Sequence, residues 1–234
     1  MTLQESRVQE GARVDTQVVD YRDYDLIEHM IAQGWTYISQ QRWVSPPLSG
    51  TSVEMAHPKL FLPRLTDDYI CGDGLILSYP ALDDAADLCA NELDDEVRRH
   101  AIFPPTSPTA MESQIIGAYA GWRLGDATFL VARHEIDGPA LAKISIRRLV
   151  PPGVLDVGYT TLRSYRGRGY AATALRLFTA WAFGSAGIQR IELGIKPGNR
   201  ASVATALKAG YRLESVRRSR LRNVNGSFDD EHSY

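Results

Sequence analysis

The sequence predicts an α/β protein built around one central sheet. Short strand-like runs alternate with segments of helical period along most of the chain. Two turn signals, Asp137-Gly138 and Asn225-Gly226, join neighbouring strand runs. Apolar residues make up 44% of the 234 residues, enough for a packed core.

The elements are expected in the following order. Residues 1–14 are polar and unpatterned, which predicts a mobile tail. Residues 16–19 read as a short strand. Asp23 or Asp25 caps a helix in which Leu26, Ile27, Met30 and Ile31 lie at helical spacing, and Gly34 stops it. Residues 35–44 read as one strand, with Trp35, Tyr37 and Trp43 forming a small core. This β-α-β unit is too small for a large core of its own. It is expected to pack on the rest of the chain or on a second copy, as a dimerisation surface or a cover for the acceptor groove. Prolines, serines and glycine over residues 46–63 mark a linker. The chain thus divides into an N-terminal extension, residues 1–63, and a main domain, residues 64–234. There, residues 75–77 form a strand, and residues 80–89 and 92–100 are helical. Met111, Ile115, Ala118 and Trp122 share one helix face. Strands follow over residues 127–134, 140–149 and 154–162, then a long helix over 169–183. Residues 191–195 read as one strand, residues 202–209 as a helix stopped by Gly210, and the remainder as a hairpin.

Composition narrows the function classes. A formal charge of −2 and a pI near 6.2 give no general affinity for nucleic acid. The longest apolar run falls short of the ~18 residues a membrane helix needs. No basic stretch followed by an apolar core opens the chain, so no secretion signal is expected. Cys71 and Cys89 lack metal-ligand spacing and are too few for a disulfide framework. Both are read as core residues, no metal is expected, and a reduced cytoplasm is the expected location.

The chemistry-bearing segment is the turn Arg166, Gly167, Arg168, Gly169, Tyr170 and Ala171, between a strand and a long helix. Two glycines one residue apart allow backbone conformations closed to other residues. The free amides of a helix's first turn bind anions. A phosphate-bearing ligand is therefore expected here, although a glycine-rich turn with solvated arginines would read the same in isolation. The nucleoside triphosphate loop and the three-glycine dinucleotide fingerprint are both absent.

Further motifs sharpen this reading. The turn fits Gln/Arg-x-x-Gly-x-Gly/Ala, and the segment before it reads Asp-Val-Gly-Tyr-Thr-Thr-Leu from Asp156 to Leu162. Downstream come Asn199-Arg200-Ala201-Ser202 and Lys208-Ala209-Gly210-Tyr211. Together they resemble the signatures of the GNAT superfamily of acyl-CoA N-acyltransferases, most closely the branch of the ribosomal-protein alanine and serine N-acetyltransferases. The resemblance implies a central mixed, mostly antiparallel sheet flanked by helices, with a bulged strand before the turn.

It also implies direct acetyl transfer from acetyl-CoA to a primary amine, on a protein or peptide N-terminus or a small molecule. Amides of Gly167 to Ala171, with Arg166 and Arg168, would hold the pyrophosphate. Amides around Thr160, Thr161 and Leu162 would hold the acyl carbonyl. Asn199 would bind the pantetheine arm or hold splayed strands apart. Ser202 would donate to the departing thiolate or cap its helix. The tyrosine many relatives carry seven residues after the asparagine is Ala206 here. The glutamate expected in the strand after Gly210-Tyr211 is also missing. That strand runs from Arg217 to Arg222, and alternation would put Arg218, Arg220 and Arg222 on one face, solvated or attracting an acidic substrate or the CoA 3′-phosphate. Asp156 and Glu192 are the alternative bases. The competing reading is a non-catalytic acyl-CoA-binding module.

Overall fold

The computed structural model describes residues 4–9, 12–39, 42–44, 61–124, 127–149 and 151–234. The linker expected over residues 46–63 lies mostly outside these, as does the side chain of Trp43.

The N-terminal segment folds further than its polarity suggests. Strands β1 (Gln4–Gln9) and β2 (Ala12–Val18) pair as an antiparallel hairpin where a tail was expected. Helix α1 (Tyr24–Ala32) begins at Asp23, whose carboxylate accepts from the Leu26 amide at 3.0 Å, and Gly34 ends it at φ 81°. The single strand expected next is two, β3 (Thr36–Ser39) and β4 (Arg42–Val44). They pair with each other, and β4 also pairs with β2, giving the order β1-β2-β4-β3. The β-α-β unit is therefore a four-stranded antiparallel sheet with one helix. Ile27, Met30 and Ile31 of α1 are buried in one cluster with Leu62, Tyr79 and Trp122. Glu28 fixes the contact: it accepts from Arg123 Nε at 2.5 Å, Arg123 Nη2 at 2.9 Å and the Tyr119 hydroxyl at 2.6 Å. Burial pushes the Glu28 carboxyl up, but these bonds outweigh it and hold it below the usual value.

The central sheet comprises β5 (Tyr69–Gly72), β6 (Leu75–Ser78), β7 (Thr128–Arg133), β8 (Ala142–Arg148), β9 (Val154–Thr161) and β10 (Arg190–Glu192). Its order is β10-β9-β8-β7-β6-β5, antiparallel throughout except β9–β10. Helices α2 (Ala85–Leu93), α3 (Asp95–His100) and α4 (Pro108–Leu124) separate β6 from β7. Helix α5 (Tyr170–Ser185) joins β9 to β10. Both sheet faces are covered, so every residue of β7 is buried. Leu130, Ala132, Ile144 and Ile146 pack with Leu175 and Phe178 of α5, while Phe129 and Val131 pack with Leu88, Met111 and Ile115 of α2 and α4.

The strand expected over residues 191–195 breaks in two. β10 stays in the central sheet, and β11 (Gly194–Ile195) leaves it to pair with β13 (Phe228–Ser233). Between them Leu193 exchanges amide bonds with Tyr234, 3.1 Å each way. A Cβ at Gly194 would lie 2.8 Å from a Glu231 carboxylate oxygen, so any larger residue there would displace the Glu231 side chain. Helix α6 (Arg200–Lys208) follows, and β12 (Ser215–Arg222) completes a three-stranded sheet of order β11-β13-β12. A register break between Arg217 and Leu221, with Ser219 at φ 48°, interrupts the arginine alternation expected on β12. Cys71 is exposed rather than in the core, and Cys89 is half-buried.

Candidate active site

The divergence of β11 from β10 leaves β9 without a strand partner on that edge beyond Asp156. A cleft opens between β9 and β11, and α5 follows the end of β9 in the chain. Gly167 and Gly169 lie in the left-handed region, at φ 77° and 84°. Gly169 is the N-cap of α5 and, among the described residues, no side chain caps the helix, so its first-turn amides have no side-chain acceptor there. Lys208, at the end of α6, reaches the same turn: its Nζ lies 3.0 Å from where a Cβ on Gly169 would stand. Amides and an ammonium so placed can hold an anion. The part played by Lys208 was not read from the sequence, since it depends on how α6 packs against α5.

The arginines of the turn behave differently from expectation. Arg166 donates to Asp94 at 2.8 Å, to Asn91 Oδ1 at 3.2 Å and to the Thr161 carbonyl at 3.3 Å. Its guanidinium thus ties α2 to the end of β9 and does not face the cradle as a free charge. Arg168 is exposed and lies over the Tyr165 ring. The Tyr170 hydroxyl bonds His134 Nε2 at 3.2 Å. His134 Nδ1 faces the Gly74 carbonyl at 3.0 Å and must donate to it, so in the neutral ring Tyr170 donates to Nε2.

Along β9, Thr160 lines the cleft, and its hydroxyl accepts from Asn91 Nδ2 at 3.1 Å. The Leu162 amide donates to the Leu141 carbonyl at 3.0 Å, so it is committed within the protein. β9 pairs with β8 in unbroken register from Leu155 to Thr161, so the bulge implied by the resemblance does not occur along that edge.

On the opposite wall, Asn199 caps α6 by accepting from the Ser202 amide at 3.1 Å. Ser202 stands inside the helix and is not its cap. The Ser202 hydroxyl donates to the Tyr159 hydroxyl at 2.9 Å, and Tyr159 donates to the Ser202 carbonyl at 2.6 Å. Burial pushes the Tyr159 phenol up to about 12. Tyr159 is a residue the sequence reading passed over, because its partner lies on α6. Tyr211 bonds Thr179 at 2.6 Å and so pins the end of α6 to α5.

Two cavities flank the cleft. One, of about 500 Å³, is lined by Thr160, Asn199, Ser202 and Glu92. The other, of about 660 Å³, runs under α4 between Tyr37, Phe103, Gly117 and Phe129. Lys143, Ser145 and Gly158 line both. Of the expected bases, Asp156 lines the second cavity but is paired with Arg147 at 2.6 Å. Glu192 lines neither, and bonds from Arg190 and then Arg217 hold its carboxyl low. Among the described residues no group of three or more His, Cys, Asp or Glu could hold a metal ion, and no helix is long and apolar enough to cross a membrane.

Comparison with known proteins bears on the family and the fold. The Acetyltransferase (GNAT) domain family matches residues 74–212. The probable N-acetyltransferase YjcK of Bacillus subtilis is 32% identical over 74 residues, which are 32% of this chain and 40% of YjcK. The chain thus spans well under half of that relative. Mycobacterium smegmatis RimJ, solved in complex with CoA-disulfide, superposes with a TM-score of 0.59 at 22% identity, over 70% of this chain and 83% of RimJ. The ribosomal-protein-S5-alanine acetyltransferase of Vibrio fischeri gives 0.59 at 17% identity, over 70% and 93%. At these identities the superpositions speak for the fold.

Proposed function

The chain belongs to the GNAT acetyltransferase family, and from that premise we propose that it transfers the acetyl group of acetyl-CoA directly to a primary amine. The observation that carries the proposal is the cleft beside β9, which runs into the cavity under α4, with the left-handed glycine turn of α5 following the end of β9 in the chain.

The roles follow from position. First-turn amides of α5, with Lys208 beside them, hold the pyrophosphate. The open edge of β9 near Thr160 offers amides to the thioester carbonyl and stabilises the oxyanion formed when the amine attacks. The Asn199 side-chain amide, whose oxygen caps α6, keeps its Nδ2 for the pantetheine arm. As the carbon–sulfur bond breaks, the Ser202 hydroxyl turns from Tyr159 and donates to the CoA thiolate. The amine loses its proton to water in the cleft.

Incubation with acetyl-CoA and a panel of primary amines, following free thiol and acetylated product, tests the proposal. Thiol release matched by acetyl-amine is expected. Tight CoA binding with no amine acetylated would replace this reading with that of a non-catalytic acyl-CoA-binding module.

A further inference from the structure

Resting on the acetyl-transfer reading, we propose that the acceptor site selects weakly basic primary amines on an apolar body, and that Lys143 sets this preference by excluding cations. The inference comes from the charges lining the two cavities. Among the described residues the carboxylates there are Glu92 and Asp156. Glu92 Oε2 accepts from the Thr106 amide at 2.8 Å, and Oε1 faces Lys143 Nζ at 3.6 Å. Asp156 is held by Arg147. An incoming ammonium therefore meets no carboxylate that lacks a cation of its own.

It meets Arg98 and Lys196 in the smaller cavity, Arg147 in the larger and, lining both, Lys143. This side chain is 13% exposed and stands cross-strand from Thr160, at the junction of the two cavities. Its Nζ lies 4.4 Å from the centre of the Phe129 ring, so that aromatic face already holds a cation and cannot cradle another. Lys143 thus occupies both Glu92 and the Phe129 face, the groups that would otherwise compensate a second cation, so an ammonium desolvated there goes unpaired. An amine that is neutral near pH 7.4 escapes this penalty. An alkylamine with a pKa of about 10.4 is roughly 0.1% neutral there, whereas an α-amino group with a pKa of about 7.8 is roughly a quarter neutral. The rest of the larger cavity suits an apolar body: Tyr37, Phe103, Phe129 and Ile146 wall it, and Gly117 leaves the α4 side low. Tyr37 comes from β3, so the N-terminal sheet supplies part of this wall.

The test uses one phenethyl body with different nitrogens. Phenethylamine is the strong base, phenylalaninamide and 4-ethylaniline are the weak ones, and the trimethylated phenethylammonium is a permanent cation. The full chain loaded with CoA should bind the permanent cation at least about tenfold more weakly than phenylalaninamide. Lys143→Met should close that gap, and Lys143→Arg, which keeps the charge, should preserve it. Lys143→Gln replaces the methionine variant if that one does not fold. With acetyl-CoA, faster acetylation of either weak base than of phenethylamine supports the proposal, and the preferred one identifies whether the nitrogen neighbours a carbonyl or a ring. Equal binding of the permanent cation, or a gap unmoved in Lys143→Met, overturns it. The binding arm reads without turnover, so failure of acetyl transfer and failure of this selectivity are told apart.

Discussion

Replacing Gly169 by alanine tests the anion site where its geometry is most specific. The residue sits at φ 84°, and a left-handed alanine costs about 1–2 kcal/mol. The new Cβ would also stand 3.0 Å from Lys208 Nζ and push the ammonium from the turn. Losing one exposed charge beside a phosphate adds about 0.2–1 kcal/mol. Strain kept in the free protein lowers its stability and strain relaxed there is paid on binding, so CoA binding weakens by about 0.2–3 kcal/mol, up to roughly 150-fold. Gly167 supplies the control: its φ is 77°, but no atom lies within 4 Å of its Cβ position. Gly167→Ala should show the strain alone. Titration calorimetry with CoA at ~0.1 M salt reads both, and melting of the free proteins reads any strain that remains without ligand. Lys208→Met should weaken CoA binding in the wild-type background and do little in Gly169→Ala. CoA affinity within twofold of wild type and an unchanged melting temperature in Gly169→Ala would refute the reasoning.

Asp84→Ala should destabilise the fold by about 3–5 kcal/mol in urea unfolding, because it strands the Arg133 guanidinium, which is 4% exposed. A loss under ~1 kcal/mol would show that Ser78 and the Gly138 carbonyl alone satisfy Arg133. Ser202→Ala should lower kcat about tenfold or more and leave the CoA dissociation constant unchanged; equal losses in both would assign Ser202 to binding. The Glu28 carboxyl is held below its usual value in the folded protein, so its contribution is complete above the unfolded pKa near 4.5 and is lost as pH falls below it. Denaturation at pH 7 and pH 4 should therefore show a smaller acid loss in Glu28→Gln than in wild type, and parallel losses would contradict the assignment.

What the sequence made legible was local backbone. The left-handed turn at Gly167 and Gly169, the stop at Gly34 and the hairpin at Asn225-Gly226 are conformations that few residues adopt, so glycine marks them wherever they occur. Side-chain partnerships were not legible in the same way. Arg166 read as a phosphate ligand because it adjoins the glycines, yet packing of α2 against β9 gives its guanidinium to Asp94 and Asn91. The break at Leu193 was hidden because both halves of residues 191–195 are strand, and only the partner changes, from β9 to β13. The N-terminal hairpin was missed because Gln-Glu-Ser-Arg-Val-Gln carries no apolar alternation, although Ala12, Val14, Thr16 and Val18 of β2 do alternate with polar residues and marked one strand of it. Lys143 shows the limit most directly. By sequence it is a polar residue between Ala142 and Ile144, the outward position of a half-buried strand. It becomes a charge inside a cavity only because α2 and α4 cover that face of β8, and Glu92 then reaches it from a distant part of the chain. The glycine turn of α5 rests on backbone and was therefore legible in the sequence. The walls of the two cavities rest on which side chains the helices bring over the sheet, and for that the fold had to be seen.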